Sequence, residues 1–400
     1  MLIVMESPKV RPRPSIKRIV SDAVSRRREK SKLDSDEDRK RVIEAIRQHA
    51  EGIETEEPIS VFKDIRIKKV YSRTFMHPDS MLDVPADLHA NWSVLLRPEG
   101  ERCLVILRSH TVTVRGRNGS VLVEFVLSPF EVKRTESVCI FDAVWGVDEA
   151  RMKPALFVFD VLYFNLNDVC MSDFSCRQFW LNTHWPFFSK GGSPPALMDD
   201  SDSPSILLLA ALPASSENIR KLYLSPEAGF PAAANVRFEP DSLIFFRNDQ
   251  KYENGLTQAA LVFRDPQLSR FCIDSKNLDG FEGDEEMEIV LRVILSKEEI
   301  RLCTWDRVVL ASFTLAEAPA AVLAQAKRSK RNQALVRVVV NSSFEFVQFH
   351  SSKKPFPSSM NRIIDQVRRR RLAGQEMTGA HEGVLFTAPP VSIDSLLVSG

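Results

Sequence analysis

Apolar and polar residues alternate through residues 93–106, on either side of a Pro-x-Gly turn. A period of two is typical of β-strands, and the turn predicts that the two halves pair as a hairpin. Trp92 precedes the first strand, and Arg97 and Arg102 flank the turn. An aromatic face beside guanidinium groups suits a planar, charged base better than a hydrocarbon ligand, so this hairpin is the candidate binding element.

The same pattern of short strands continues along most of the chain. Further strand-like runs are 111–115, 121–126, 138–145, 156–164, 235–247 and 259–263, and then, beyond an acidic stretch at 274–286, 287–295, 300–305, 308–313, 334–340 and 344–349. Helical patterns cover 174–180, 315–327 and 360–372. Short, closely spaced strands around one helix are typical of a small OB-like barrel, which we predict for the second series.

These patterns predict an α+β protein with more than one domain. Four hundred residues, 44% of them hydrophobic, are enough for two or three cores. The predicted parts are a basic N-terminal helical segment (1–57), an antiparallel-sheet domain (58–275) with a disordered low-complexity loop (189–204), an OB-like domain (287–372), and a polar, loose tail (373–400).

Positive charge is concentrated near the N-terminus. The formal net charge is +1, but residues 9–48 hold 14 Lys or Arg against seven Asp or Glu. From Ser35 the sequence reads as a helix cap with an acidic first turn, and Val42, Ile43 and Ile46 follow at helical spacing. We predict a basic amphipathic helix free of the main fold. It is either a solvated tail or a segment that docks on an acidic protein surface or on RNA phosphates.

The six cysteines are scattered and form neither a Cys-x-x-Cys pair nor a cluster with the seven histidines. This spacing argues against a zinc site and a disulfide framework, and it indicates reduced, mostly buried thiols in a cytosolic or nuclear protein. We expect no metal and no cofactor. No run of 18 apolar residues occurs, and the apolar start of the chain is too short for a signal peptide, so no membrane span or secretion is expected.

Three blocks of residues carry a resemblance to a known family. They are Asp83–Leu88 with Trp92 and Pro98-x-Gly100-x-Arg102; Ile140–Asp142 with Val158–Val161, Asp173, Phe174, Arg177 and Trp180; and Phe238–Phe245 with Tyr252. Over roughly 80–275 the chain resembles snurportin, the adaptor that carries U snRNPs into the nucleus by their trimethylguanosine cap. The basic N-terminal segment is similar to the family's importin-β-binding segment in character only.

The resemblance implies a nucleotidyltransferase-like fold, because the family's cap-binding domain is similar to that of mRNA capping enzymes and ligases. Those enzymes attack the α-phosphate with a neutral lysine in Lys-x-Asp-Gly. Here Arg97-Pro98-Glu99-Gly100 stands at that place, and a guanidinium is effectively never deprotonated. No arginine occurs between Val338 and Asn361, so the enzymes' phosphate-binding arginines on the OB domain are missing too. The expectation is a fold that was kept and a chemistry that was lost.

The resemblance also implies which residues hold the cap. Trp92 would stack on the methylated base, although a lone tryptophan after a turn is otherwise most often a half-buried core residue. The second stacking position falls on Phe263 or, without a gap, on Val262, and Phe263 as a strand core residue remains an alternative. Arginines would bind the phosphates, and acidic residues would accept hydrogen bonds from the guanine edge. The full predicted set is Trp92, Arg97, Arg102, Glu239, Asp241, Tyr252, Phe263 and Arg264.

The resulting hypothesis is a non-enzymatic import adaptor that binds the trimethylguanosine cap of U snRNA, docks on importin β and shuttles between cytoplasm and nucleus. The predicted importin-binding residues are Arg26, Arg27, Arg28, Arg39, Lys40 and Arg41. Two alternatives stay open: a divergent RNA guanylyltransferase or ligase, and a catalytically dead scaffold whose OB-like domain binds RNA or protein. The basic runs 327–331 and 368–371 either track RNA, act as nuclear signals or are solvated helix ends.

Overall fold

The computed structural model describes residues 40–48, 70–71, 74–127, 135–185, 204–230, 236–270, 272–273, 287–296, 299–328, 334–352, 356–374 and 388–398. Its strands are β1 (Met76–Ser80), β2 (Trp92–Pro98), β3 (Glu101–Ser109), β4 (Thr111–Gly116), β5 (Val121–Val126), β6 (Thr135–Asp148), β7 (Lys153–Phe164), β8 (Asn167–Asp168), β9 (Ser205–Leu208), β10 (Leu212–Pro213), β11 (Pro240–Arg247), β12 (Gly255–Phe263), β13 (Met287–Leu295), β14 (Glu299–Cys303), β15 (Val309–Thr314), β16 (Leu335–Val340) and β17 (Phe346–Ser351). Its helices are α1 (Leu88–Asn91), α2 (Phe174–His184), α3 (Ser216–Leu224), α4 (Ala320–Arg328), α5 (Met360–Leu372) and α6 (Ile393–Val398), with a 3-10 turn at Pro226–Gly229 and helical backbone at 40–48.

The first domain is built from two sheets. One has the order β1-β12-β11-β2-β10, in which β1 runs parallel to β12 and the remaining pairs are antiparallel. The other has the order β5-β4-β3-β6-β7-β8, with β9 parallel to β7. Sheets with few helices confirm the predicted α+β class.

Both faces of the second sheet are buried, which explains the long apolar runs of its central strands. On β3, Leu104 and Ile106 belong to a core that also contains residues of the first sheet. The alternate residues of β3, Cys103, Val105 and Leu107, belong to a separate core on the other face, which is covered by α2. A strand with apolar side chains on both faces reads as a continuous hydrophobic segment.

The predicted hairpin is wrong, because β2 and β3 lie in different sheets. β2 pairs with β10 and β11, whereas β3 pairs with β4 and β6. The Pro98-Glu99-Gly100 turn therefore crosses from one sheet to the other. Gly100 has a φ of 151°, and a Cβ at this position would lie 2.3 Å from the carbonyl oxygen of Trp145. Hydrophobic alternation predicts strands, but it does not say which strands pair.

The second domain is one antiparallel sheet of order β15-β14-β13-β16-β17. Phe313 on one edge strand and Phe349 on the other meet edge to face, with ring centroids 6.2 Å apart. This contact brings the two edges of the sheet towards each other. The sheet is a half-barrel of the predicted OB-like kind, and α4 packs on it.

Helix α5 joins the second domain to the first. Ser359, its N-cap, and Asn361 donate to the buried carboxylate of Asp79 on β1 at 2.7 and 2.9 Å. Further along the helix, Gln366 donates to the carbonyl of Cys272 at 3.2 Å and Arg368 to that of Leu82 at 2.8 Å. Arg368, Arg369 and Arg370 are buried. For these three residues, the prediction of solvated or RNA-tracking cations is wrong.

Two peripheral segments pack into the first domain instead of lying free. Val42, Ile43 and Ile46 are at most 8% exposed and belong to the core that the two sheets share. Val391 and Leu396 belong to the same core, and Ser216 donates to the carbonyl of Leu397. The predictions of a free helix and a loose tail are therefore wrong for 40–48 and 388–398. Predictions for 1–39, the loop at 189–203 and the linker at 274–286 fall outside the described residues.

Five of the six cysteines are buried, and Cys176 is exposed; all are free thiols, as predicted. Among the described residues, no helix is both long enough and apolar enough to cross a membrane.

Candidate functional site

Three of the predicted ligand-binding residues converge where β2, β11 and β12 lie side by side. The register of β11 against β2 shifts between Pro240 and Ser242. Asp241 is therefore the extra residue of a β-bulge and has no paired residue on β2. Arg97 pairs with Ser242 across the strands, and Arg264 directly follows β12. The bulge places Asp241 between the two arginines.

Asp241 is the anionic centre of this cluster. It accepts hydrogen bonds from Arg97, from Arg264 Nη2 at 2.8 Å, from Ser242 Oγ at 3.0 Å and from Ser269 Oγ at 3.3 Å. Burial alone would raise the pKa of Asp241, but the two guanidinium groups outweigh burial and lower it. Because its oxygens already have these donors, Asp241 orients the arginines and is poorly placed to read a guanine edge.

Both arginines keep contact with solvent. The side chain of Arg97 is 16% exposed and that of Arg264 is 31% exposed, whereas Asp241 is 5% exposed. Arg97 also donates to the carbonyl of Gly100 at 2.7 Å, at the crossing between the sheets. Two cations share one carboxylate, so the cluster has an excess of positive charge and can attract an anion such as a phosphate.

A second network beside it is fully buried. Arg102 donates to both oxygens of Asp142, at 2.9 and 2.5 Å, and to the carbonyl of Met76. The hydroxyl of Tyr252 donates to Asp142 at 2.5 Å and accepts from the amide of Met76 at 3.0 Å. Burial and the charge of Asp142 raise the pKa of Tyr252 far above its ordinary value, so the phenol stays protonated. Arg102 and Tyr252 therefore hold β1 against the second sheet and present no free polar group to a ligand.

The two predicted stacking residues are in the core. Trp92 is 4% exposed and Phe263 is fully buried. The indole N–H of Trp92 donates to Asp87 Oδ1 at 3.0 Å. Neither ring has a free face in this structure, so a base could stack on one of them only if the core opened. Their stacking role stays a prediction.

The remaining predicted residues are peripheral. Glu239 is exposed, and its carbonyl accepts from the amide of Glu99 at 2.7 Å beside the sheet crossing. Lys40 and Arg41 are exposed on the helical segment 40–48. Arg26, Arg27, Arg28 and Arg39 fall outside the described residues. The importin-binding set therefore stays a prediction.

The predicted site omitted three buried charged residues. One is Asp142; the others are Asp160 and Arg177, which form a bidentate pair at 2.9 and 3.0 Å with both side chains fully buried. A signal for both carboxylates was present in the sequence, because each interrupts an otherwise apolar strand. A charge at such a position is seldom buried without a partner.

The site offers cations and no metal centre. Within the described residues, no group of three or more His, Cys, Asp or Glu side chains could hold a metal ion. The arrangement provides two partly exposed guanidinium groups, which a buried carboxylate holds in place through hydrogen bonds. Such a pair of guanidinium groups suits a phosphate-bearing ligand.

Comparison with protein families adds an independent finding for this region. Residues 74–264 match the family model described as "Snurportin1, m3G cap-binding domain". The match covers both sheets of the first domain and includes the Arg97–Asp241–Arg264 cluster. The first domain is snurportin-like.

The chain is also similar to solved ligase structures. The chain is 13% identical to the ligase domain of M. tuberculosis LigD, with 68% of this chain and 89% of that chain covered and a TM-score of 0.31. It is 13% identical to a mycobacterial DNA ligase D complexed with ATP and MES, with 70% and 95% covered and a TM-score of 0.33. It is 10% identical to a Lig E DNA ligase, with 70% of this chain and 97% of that chain covered and a TM-score of 0.29. All three TM-scores lie below 0.5, which is too low to support an inference about this chain.

Proposed function

We propose that the snurportin-like domain binds the trimethylguanosine cap of an RNA. The observation that carries the proposal is the family match over 74–264, whose family is described by m3G cap binding. The Arg97–Asp241–Arg264 cluster supports it, because its partly exposed guanidinium groups suit the phosphates that a cap carries. The arginines supply attraction to the triphosphate, and discrimination between caps comes from an apolar slot for the two methyl groups on the exocyclic nitrogen.

Binding without catalysis fits the same cluster. Arg97 occupies the position at which related enzymes carry a nucleophilic lysine, and its guanidinium is tied to Asp241 and Gly100. A guanidinium stays protonated and has no lone pair with which to attack phosphorus. Incubation with labelled GTP or ATP and a divalent metal should leave the protein unlabelled; a covalent lysyl-nucleotide would contradict the proposal and favour a guanylyltransferase or ligase.

Cap binding is tested by titrating the protein with trimethylguanosine, monomethylguanosine and unmethylated cap dinucleotides. We expect the trimethylated form to bind at least about tenfold more tightly than the other two, a difference of about 1.4 kcal/mol. Arg264→Ala should weaken binding of all three, because the phosphates lose a charged donor. Arg151→Ala is the matched control, since this arginine also has a carboxylate partner and a side chain 42% exposed but lies between β6 and β7 in the other sheet. Equal, millimolar-weak binding of all caps would refute cap recognition.

We also propose that the protein is a shuttling adaptor that docks on importin β through its basic N-terminal segment and carries a U snRNP into the nucleus. The support is the local excess of positive charge in residues 9–48. Replacing Arg26, Arg27 and Arg28 together by alanine should abolish binding to importin β and leave cap affinity unchanged. A deletion would be a poorer test if it passed residue 39, because Val42, Ile43 and Ile46 belong to the core of the first domain. Unchanged importin-β affinity in the triple variant would refute this part of the proposal.

A further inference from the structure

The junction between the two domains concentrates positive charge. Arg117, in the turn after β4, is exposed, and partial burial together with the charges of Arg102, Arg97 and Arg362 lowers its pKa to about 10. Arg362 belongs to α5 of the second domain, and the other three belong to the first. A bound anion would offset the mutual repulsion of these like charges.

These arginines differ in the chemical nature of their partners. Arg97 and Arg102 face the carboxylates of Asp241 and Asp142. Arg117 instead has its Nη2 3.3 Å from Nδ1 of His77. Burial, followed by the charges of Arg102 and Arg117, lowers the pKa of His77 well below its ordinary value, so this ring is neutral and does not add to the charge. Glu101 offsets part of the charge of Arg117.

Aromatic rings continue from this point across the junction. His77 contacts Phe356 with ring centroids 4.4 Å apart, and Phe356 contacts Trp305 edge to face at 5.7 Å. The guanidinium of Arg292 lies 5.7 Å from the ring centroid of Trp305. Phe356, Trp305 and Arg292 are half-buried, and Arg307 beside them is exposed. Cations interleaved with aromatic rings are an arrangement that single-stranded nucleic acid binds.

We propose that this junction, made by Arg117, Arg362, Arg292 and Trp305, binds the single-stranded RNA that follows the cap. The inference rests on the proposed function, because cap binding at the Arg97–Asp241–Arg264 cluster would position the 5′ end of the RNA. Arg97 of this cluster lies within electrostatic reach of Arg117. Phosphodiester groups neutralise Arg117 and Arg362, and a base further along packs at Trp305. Because α5 is hydrogen-bonded to the first domain at several points, Arg362 is held in place before the RNA arrives, which lowers the entropic cost of binding.

The test compares three ligands on the full chain: a trimethylguanosine cap dinucleotide, a capped 12-nucleotide RNA and the same RNA without a cap. We expect the capped RNA to bind more tightly than the dinucleotide and with a steeper salt dependence. Each phosphate contact contributes a slope of about −0.7 in a plot of log affinity against log salt concentration. Arg117→Ala and Arg362→Ala should each make the slope for capped RNA shallower by about 0.7. Arg362→Ala should leave the slope for the dinucleotide unchanged.

Two further variants separate a binding role from a structural one. Arg362→Lys keeps the charge and should restore the wild-type slope, which it would not do if Arg362 served only to pack α5. Arg301→Ala is the control on the second domain for an arginine on β14 that is paired with Glu299, and its slope should equal that of the wild type.

The outcomes for the cap and for the junction differ. If capped RNA and dinucleotide bind with equal affinity and equal salt slope, the junction proposal is wrong while cap binding stands. If the dinucleotide does not bind but both RNAs do, with a slope that Arg362→Ala reduces, the cap proposal fails and the junction proposal stands. If no ligand binds, both are refuted.

Discussion

Several charged side chains inside the first domain are buried away from water. Arg102 with Asp142 and Arg177 with Asp160 are bidentate pairs whose four side chains are at most 8% exposed. Burying such a pair costs several kcal/mol of desolvation, roughly, which good geometry and additional hydrogen bonds must offset. Tyr252 supplies one of those bonds to Asp142. The pairs link β3 to β6 and β7 to α2, and Arg102 also donates to the carbonyl of Met76 on β1.

His77 gives a residue-scale prediction about pH. Its pKa in the folded protein lies below the value of about 6.5 expected when unfolded, so the unfolded chain binds more protons as pH falls. The contribution of His77 to the free energy of unfolding is therefore present above about pH 6.5. It is lost as the pH falls below that value, by at most about 1.4 kcal/mol per pH unit. His77→Phe keeps a ring against Phe356 and removes the titration.

The measurement is the free energy of unfolding by urea at pH 7.5 and at pH 5.0. The difference between wild type and His77→Phe should shift in favour of the variant at the lower pH. His350→Phe, at an exposed histidine on β17, should show no such shift. Parallel pH curves for wild type and His77→Phe would contradict the buried neutral ring.

At the scale of elements, the link between β1 and α5 sets how the two domains behave together. Asp79 is 5% exposed and accepts from two groups at the start of α5. Asp79→Ala leaves the Ser359 hydroxyl and the Asn361 amide without their acceptor, and we expect a loss of about 2 kcal/mol in the free energy of unfolding. We also expect the second domain to become the first target of limited proteolysis.

A matched control exists at the same helix end. Asp306 accepts from the amide of Met360 at 3.1 Å, but it lies within the second domain. Asp306→Ala should weaken the helix start and leave the first domain's protection unchanged. Equal proteolysis patterns in the two variants would show that Asp79 does not couple the domains.

At the scale of the whole molecule, the sequence predicted the elements better than their arrangement. The bounds of β5, β13 and α5 agree with the periodicity of the sequence, because each has a regular apolar face. The pairing of β2 with β11 could not be predicted, since the partners are about 150 residues apart and alternation carries no information about which strand is adjacent. The OB-like domain was predicted from strand spacing alone.

The same limit explains the mixed result for the candidate site. Arg97, Asp241 and Arg264, three of the residues predicted to hold the cap, come together through a bulge that no local pattern announces. Resemblance named Trp92 and Phe263 for contact with a base, but the structure places both in the core, where apolar burial accounts for them. Arg362 was not predicted as a binding residue, because its place beside Arg117 depends on how the two domains meet.

Helix α6 packs into the core of the first domain. The second domain is therefore inserted within the chain of the first domain, although the sequence predicted it as the last folded domain. Leu396 is fully buried in the same core as residues from β2 and β11, which lie about 300 and about 150 positions earlier in the chain. A fragment that stops at residue 275 therefore lacks part of its own interior. The natural way to isolate the first domain is to excise residues 287–372 and bridge the gap with a flexible linker, so that the C-terminal helix stays attached.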